Sequence, residues 1–177
     1  GGGGGGGGGG RGGGDPPCPA LLIHSHLLLK PAYERKHTMV FESAFCIDAS
    51  SIKYGPGVTR EVGFEMRAFG ARRVMVVTDP QLASSEPVSV TMKSLRAEAI
   101  DAVLFDGVRI EPTDLSFKEA IRVAIDGDFD GYVAVGGGSS MDTAKAADLY
   151  DTSPADFLAY VNAPIGKGCL VPGVLKP

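Results

Sequence analysis

Cysteine is scarce in this chain, and what there is of it is dispersed. Cys18, Cys46 and Cys169 are the only three in 177 residues, and none forms a C-x-x-C pair. That pattern argues against a disulfide framework or a thiolate zinc site, and predicts reduced thiols in an intracellular compartment. Long apolar runs are missing too. Nothing approaches the roughly 18 consecutive apolar residues that span a bilayer, so no membrane partner is expected. There is no excess of basic residues: the net charge is −4, which disfavours a general nucleic-acid or anionic-membrane surface. No G-x-x-x-x-G-K-[ST] occurs, which sets aside a P-loop nucleotidase. Histidine stops at His37; the remaining 140 residues contain none.

Glycine, by contrast, is abundant and very unevenly placed. Of 26 glycines, 13 fall in the first 14 residues. Such a low-complexity run cannot bury a core, and residues 1–40 read as a disordered tail or a targeting segment. The apolar stretch 21–29 is too short to cross a membrane. Basic residues outnumber acidic ones in this tail, which is mildly like a transit peptide, but serine enrichment is lacking. His24 and His26 form a His-x-His pair in a Pro- and Gly-rich context, where a metal site is not expected.

From Phe41 onward the composition becomes that of a folded α/β domain, expected over residues 41–177. Residues 45–54 alternate loosely and suggest one or two edge strands before Gly55-Pro56-Gly57. Val58, Val62, Met66 and Phe69 lie at helical spacing, with Gly70 as the stop. Residues 73–78 form an apolar strand that ends at Asp79-Pro80. A helix is predicted over 88–100, a strand over 102–105, and a helix capped by Thr113 or Asp114 and closed by Gly127. Residues 132–135 supply another buried strand, and 154–160 suggest one more short helix. Strands alternating with helices imply βαβ units and a Rossmann-like parallel sheet covered by helices.

One stretch concentrates the chemistry. The strand 132–135 runs into Gly136-Gly137-Gly138, then Ser139, Ser140 and a helix rich in alanine. Three glycines permit positive φ and close approach of a ligand to the backbone. Ser139 and Ser140 are N-cap candidates, and Asp142 is expected in the first helical turn. Strand, glycine turn and helix N-terminus together bring free N–H groups and a positive dipole end to one point, a recipe for holding phosphate. The same turn can also be purely structural, and G-x-G-x-x-G matches only at its first two glycines because Met141 occupies the third position. Asp79, at the end of an early strand, is placed to accept a ribose hydroxyl; its bland alternative is a solvated turn aspartate before Pro80.

Gly136-Gly137-Gly138-Ser139 and Asp142-Thr143-Ala144-Lys145 resemble the G-G-G-S-x-x-D-x-[AC]-K signature of iron-containing (group III) alcohol dehydrogenases. The likeness continues in Ile52-Lys53-Tyr54-Gly55, in Val58 through Gly63, in Arg109-Ile110-Glu111-Pro112-Thr113-Asp114 and in Tyr160 through Gly168. The resemblance implies an N-terminal NAD-binding domain of a metal-dependent oxidoreductase acting on small hydroxyacids and oxoacids, in mitochondria. It implies cofactor contacts at Asp79, Gly136, Gly137, Gly138, Ser139 and Asp142, with Asp79 favouring NAD over NADP because a 2′-phosphate beside a carboxylate is repelled. Glu111 stands where the family typically has a cofactor-touching asparagine, and is expected to be a solvated loop residue instead. Lys145 reads as a structural or surface lysine. The family's iron or zinc sits on one aspartate and three histidines of a second, all-helical domain. With no histidine after position 37, no metal ligand and no principal catalytic group can be named in this chain. The expectation is therefore an N-terminal fragment of an oxidoreductase; the alternative is an inactive nucleotide-binding module or truncation product. Homo-oligomerisation is left open.

Overall fold

A computed structural model describes residues 52–177. The tail and most of the predicted edge strands at 45–54 lie outside those residues; Ile52 to Tyr54 themselves carry no regular structure. A 3-10 turn, Val58–Glu61, leads into α1, Val62–Ala68. There follow β1, Arg73–Val77; α2, Glu86–Ala97; β2, Asp101–Phe105; α3, Asp114–Gly127; β3, Gly131–Ala134; and α4, Gly138–Thr152. Every strand predicted from the sequence within the described residues is present. Their boundaries shift by one residue where a flanking group joins the ladder.

The three strands form one parallel sheet in the order β2-β1-β3. Val74 pairs with Ala102 on one side and with Gly131 on the other. β1 is thus the central strand, and its Val74, Met75, Val76 and Val77 are fully buried. Period-2 alternation sends them to opposite faces. Val74 and Val76 pack with Met66, Leu95 and Ile100 beneath α1 and α2. Met75 and Val77 pack with Phe105, Ala120, Ala124, Ala144 and Ala147 beneath α3 and α4. Burying each of these large side chains contributes about 1.5–3 kcal/mol of transfer free energy. Covered on both faces, β1 reads as an unbroken apolar run, which is why it is so plain in the sequence.

Helix boundaries follow local chemistry. Thr113 caps α3: its Oγ1 accepts the Ser116 N–H (3.3 Å), and Ser116 Oγ accepts the Thr113 N–H (2.9 Å), a reciprocal capping box. Gly70 ends the first helical segment at φ 86°. The helix expected over 154–160 does not form. The Asp156 side chain accepts the Leu158 N–H (3.0 Å) and its carbonyl accepts the Ala159 N–H (2.8 Å), so a local aspartate turn competes with helix continuation. Tyr150 packs against both Phe157 and Tyr160 and holds that turn to the end of α4. Cys169 is disulfide-bonded, contrary to the expectation of reduced thiols; sequence spacing carries no record of proximity across the fold.

Candidate functional site

The strand order supplies a crevice. From β1 the chain crosses to β2 on one side, then returns past β1 to β3 on the other. The connections therefore diverge between β1 and β3, and beyond the carboxyl ends of these two strands a doubly wound sheet leaves an opening. Two bonds fix the strand ends there. Thr78 Oγ1 donates to the Val135 carbonyl (2.7 Å), and the Val135 N–H donates to the Val77 carbonyl (2.9 Å). A third bond, Thr78 N–H to Phe105 carbonyl (2.9 Å), ties in β2. Sequence reasoning misses Thr78 as a site residue, although a threonine closing an apolar strand run is the available signal.

Asp79 lies just beyond, half-buried. Its Oδ1 accepts the N–H groups of Gln81 (2.9 Å) and Leu82 (3.1 Å), so the carboxylate is held by its own turn. Among the described residues no donor reaches its Oδ2. Across the switch point, Gly136 takes φ 151°. A Cβ there would meet Ser140 Oγ at 2.5 Å, so the backbone itself demands glycine at this position. Gly137 and Gly138 are different. Gly137 is extended (φ −89°, ψ −162°) and Gly138 is already helical. A Cβ on either would meet nothing within 4 Å. The expectation that all three glycines serve a positive φ is corrected: only Gly136 does. At the other two the protein leaves open space, and the demand for glycine points outward.

That space faces an uncapped helix. Gly137 is the N-cap, not Ser139 or Ser140, and no side chain caps α4. The shift arises because glycine can enter the helix directly from the strand end. The first internal bond of α4 is Met141 N–H to Gly137 carbonyl (3.1 Å), so the amides of Gly138, Ser139 and Ser140 have no partner within the helix. In α3 the corresponding third amide, Ser116 N–H, is satisfied by Thr113 Oγ1; in α4 no side chain does this. Ser139 is half-buried, Ser140 is buried under the turn, and Thr143 Oγ1 donates to the Ser139 carbonyl (2.7 Å). Asp142 is exposed one turn into α4 and falls outside its first turn, again because the helix starts earlier than expected. Lys145 is exposed on the same helix.

Glu111 is exposed in the loop between β2 and α3, at φ 57°. Its left-handed conformation is uncommon for glutamate and ordinary for asparagine. A cleft of about 640 Å³ opens between α1 and β3, lined by Met66, Phe69, Thr91, Val133 and Val135 with Lys53, Glu61 and Glu65 at its edge. It reaches the glycine turn only at Gly136 and includes neither Asp79 nor the α4 amides. Thr91 Oγ1 is buried there without a partner. Lys53 bridges Glu61 and Glu65, and those hydrogen bonds hold its ammonium above the usual lysine range.

The open turn and unpaired amides suit a pyrophosphate, and the free oxygen of Asp79 suits a ribose hydroxyl. For a metal the result is opposite. Among the described residues no three His, Cys, Asp or Glu side chains converge on a point that could hold an ion.

Comparison with known proteins agrees with this architecture. The model of the family described as "Iron-containing alcohol dehydrogenase" matches residues 49–174. The chain is 49% identical over 162 residues to hydroxyacid-oxoacid transhydrogenase, mitochondrial, of Xenopus laevis, covering 90% of this chain and 34% of that protein. Against the Homo sapiens protein of the same name it is 48% identical over 161 residues, with the same coverage. It therefore spans about a third of the length of these relatives. Among solved structures, NADH-dependent butanol dehydrogenase A from Thermotoga maritima superposes with a TM-score of 0.61 at 26% identity, over 65% of this chain and 29% of the other. On these grounds the chain belongs to the iron-containing alcohol dehydrogenase family.

Proposed function

We propose that this chain is the dinucleotide-binding part of a mitochondrial, metal-dependent hydroxyacid-oxoacid transhydrogenase, and that its cofactor is NAD. The observation that carries the reading is the uncapped N-terminus of α4 facing open space at Gly137 and Gly138. In this reading the amides of Gly138, Ser139 and Ser140 hold the pyrophosphate at the positive end of the helix dipole. Gly137 and Gly138 let the phosphates approach the backbone. Asp79 Oδ2 accepts a hydroxyl of the adenosine ribose and excludes a 2′-phosphate by charge. Asp142, exposed on α4, borders the cofactor at a position where its charge must point away from the phosphates. Thr78, by tying β1 to β3, holds the two sides of the crevice at fixed separation.

When bound, the nicotinamide supplies hydride transfer, and this chain supplies placement. For the whole protein the reaction proposed is a hydroxyacid-oxoacid transhydrogenation, in which 4-hydroxybutyrate is oxidised to succinic semialdehyde and 2-oxoglutarate is reduced to 2-hydroxyglutarate. The iron or zinc of such a reaction finds no ligand set among the described residues.

Calorimetric titration of NAD and NADP tests the reading. The chain is expected to prefer NAD by at least about tenfold. Asp79→Ser keeps an acceptor for the Gln81 amide yet removes the charge, and should bring the two affinities to within about threefold, a difference of ~0.7 kcal/mol. An unchanged ratio would count against Asp79 as the ribose contact.

A further inference from the structure

Two helices of this domain start alike and then differ at one hydroxyl. Their N-caps are both extended: Thr113 at φ −100°, ψ 167°, and Gly137 at φ −89°, ψ −162°. Three residues on, each helix carries a serine, Ser116 in α3 and Ser140 in α4. Helical side chains lean toward the N-terminus, so a serine at this position can reach back to the cap. Ser116 uses that reach. Its Oγ accepts the Thr113 N–H (2.9 Å) and donates to the Thr113 carbonyl (2.9 Å). Gly137 offers Ser140 the same two groups on a similar backbone. Among the described residues, however, the Ser140 hydroxyl forms no hydrogen bond, to Gly137 or to any other group.

The Ser140 hydroxyl is turned elsewhere. A Cβ at Gly136 would meet Ser140 Oγ at 2.5 Å and Leu82 Cδ1 at 3.5 Å. Leu82 belongs to the turn that Asp79 holds, its N–H donating to Asp79 Oδ1 (3.1 Å). Ser140 Oγ therefore stands in the gap where the glycine turn faces the Asp79 turn. The residue is only 1% exposed. A buried hydroxyl is as a rule hydrogen-bonded, and leaving one unpaired costs free energy. Here that hydroxyl lies beside the three amides of α4 that have no partner within the helix, in the crevice between β1 and β3.

Resting on the NAD reading of this crevice, the geometry points to the Ser140 side chain as a further phosphate contact. Its O–H donates to an oxygen of the pyrophosphate, next to the amides of Gly138, Ser139 and Ser140. A hydrogen bond to a phosphate oxyanion is charge-assisted and short. Ser140 breaks no internal bond to form it, so the gain is not offset by a loss inside the protein. Ser116, with both of its hydrogen bonds spent on Thr113, has no such freedom.

Calorimetric titration of NAD into the full chain, with thermal unfolding of the same samples, tests this. Ser140→Ala removes the donor and should raise the Kd for NAD at least about fivefold, with the unfolding midpoint unchanged. ADP-ribose, which has the pyrophosphate without the nicotinamide, should lose as much. Ser140→Cys keeps a group of similar shape but only a weak donor, and should show the same loss. Ser116→Ala breaks the α3 cap instead, and should lower the midpoint while leaving the Kd unchanged. Equal NAD affinity in wild type and Ser140→Ala would overturn the assignment of Ser140 and leave the NAD reading standing. A midpoint that falls as far in Ser140→Ala as in Ser116→Ala would also overturn it, making Ser140 a packing residue of the turn. Absence of saturable NAD binding by the wild-type chain would overturn the NAD reading itself, and the assignment with it.

Discussion

Gly136 and Gly138 lie two residues apart and answer to different demands. Gly136 is fixed from inside: its φ of 151° and the 2.5 Å approach of Ser140 Oγ leave no room for a side chain. Gly138 is helical and open, so valine there meets no protein atom. Gly136→Val is accordingly expected to destabilise the fold by about 1–3 kcal/mol, the usual cost of a strained backbone position, with overpacking against Ser140 added to it. Gly138→Val should change the unfolding midpoint little, yet lower NAD affinity at least about tenfold, since the new methyl groups occupy the space proposed for phosphate. Thermal unfolding and calorimetry on the two variants separate these effects. Similar losses of stability in both would mean that the turn is structural throughout. Residue types mark the turn but do not divide it. Which glycine serves the chain and which the ligand depends on where Ser140 folds back, and that contact is set by α4.

At the scale of elements, α3 and α4 contrast in how their N-termini are satisfied. Thr113 and Ser116 close the α3 terminus on itself, so Thr113→Ala should cost about 1 kcal/mol, within the roughly 0.5–2 kcal/mol range of cap losses, measurable as a lower denaturant midpoint at unchanged slope. A loss below a few tenths would show that water replaces the cap. Thr113 is legible as a cap because an apolar helical repeat follows at once. The α4 start is hidden for a related reason: Ser139 and Ser140 are good cap residues, but the helix has already begun at Gly138, where nothing in the side chains announces it. β1 is the clearest element, since burial on both faces makes every residue from Val74 to Val77 apolar. The segment 154–160 is the least legible. Its composition permits helix, and only the Asp156 turn and the packing of Phe157 and Tyr160 on Tyr150 decide otherwise. Those contacts reach back to the preceding helix and leave no local period.

For the whole molecule, the resemblance carried in the sequence and the fold meet at the same place, the switch point between β1 and β3. The glycine signature can be read directly; its geometric partner, Asp79, needs the strand order to bring it opposite. The chain covers about a third of its transhydrogenase relatives, and the part it covers holds the proposed cofactor contacts and no metal ligand set among the described residues. Binding and turnover should therefore separate. In the proposed reading the crevice offers three helix amides and a carboxylate oxygen to the adenosine and pyrophosphate half of NAD, which is enough for weak affinity. In that reading the described residues hold the adenosine and pyrophosphate and leave the nicotinamide largely exposed. A Kd on the order of 0.1–1 mM follows, roughly −5.5 to −4 kcal/mol. Hydride transfer from 4-hydroxybutyrate needs the hydroxyl activated, and the described residues offer no group of three ligands to hold a metal for that task. NAD titrated into this chain should give a saturable heat that Gly138→Val removes. The same protein with 4-hydroxybutyrate, NAD and added iron or zinc should form no NADH above the protein-free rate. Metal-dependent NADH formation by this chain would place a catalytic site among residues whose geometry offers a metal no ligand set, and the absence of any saturable heat would remove the crevice from the account.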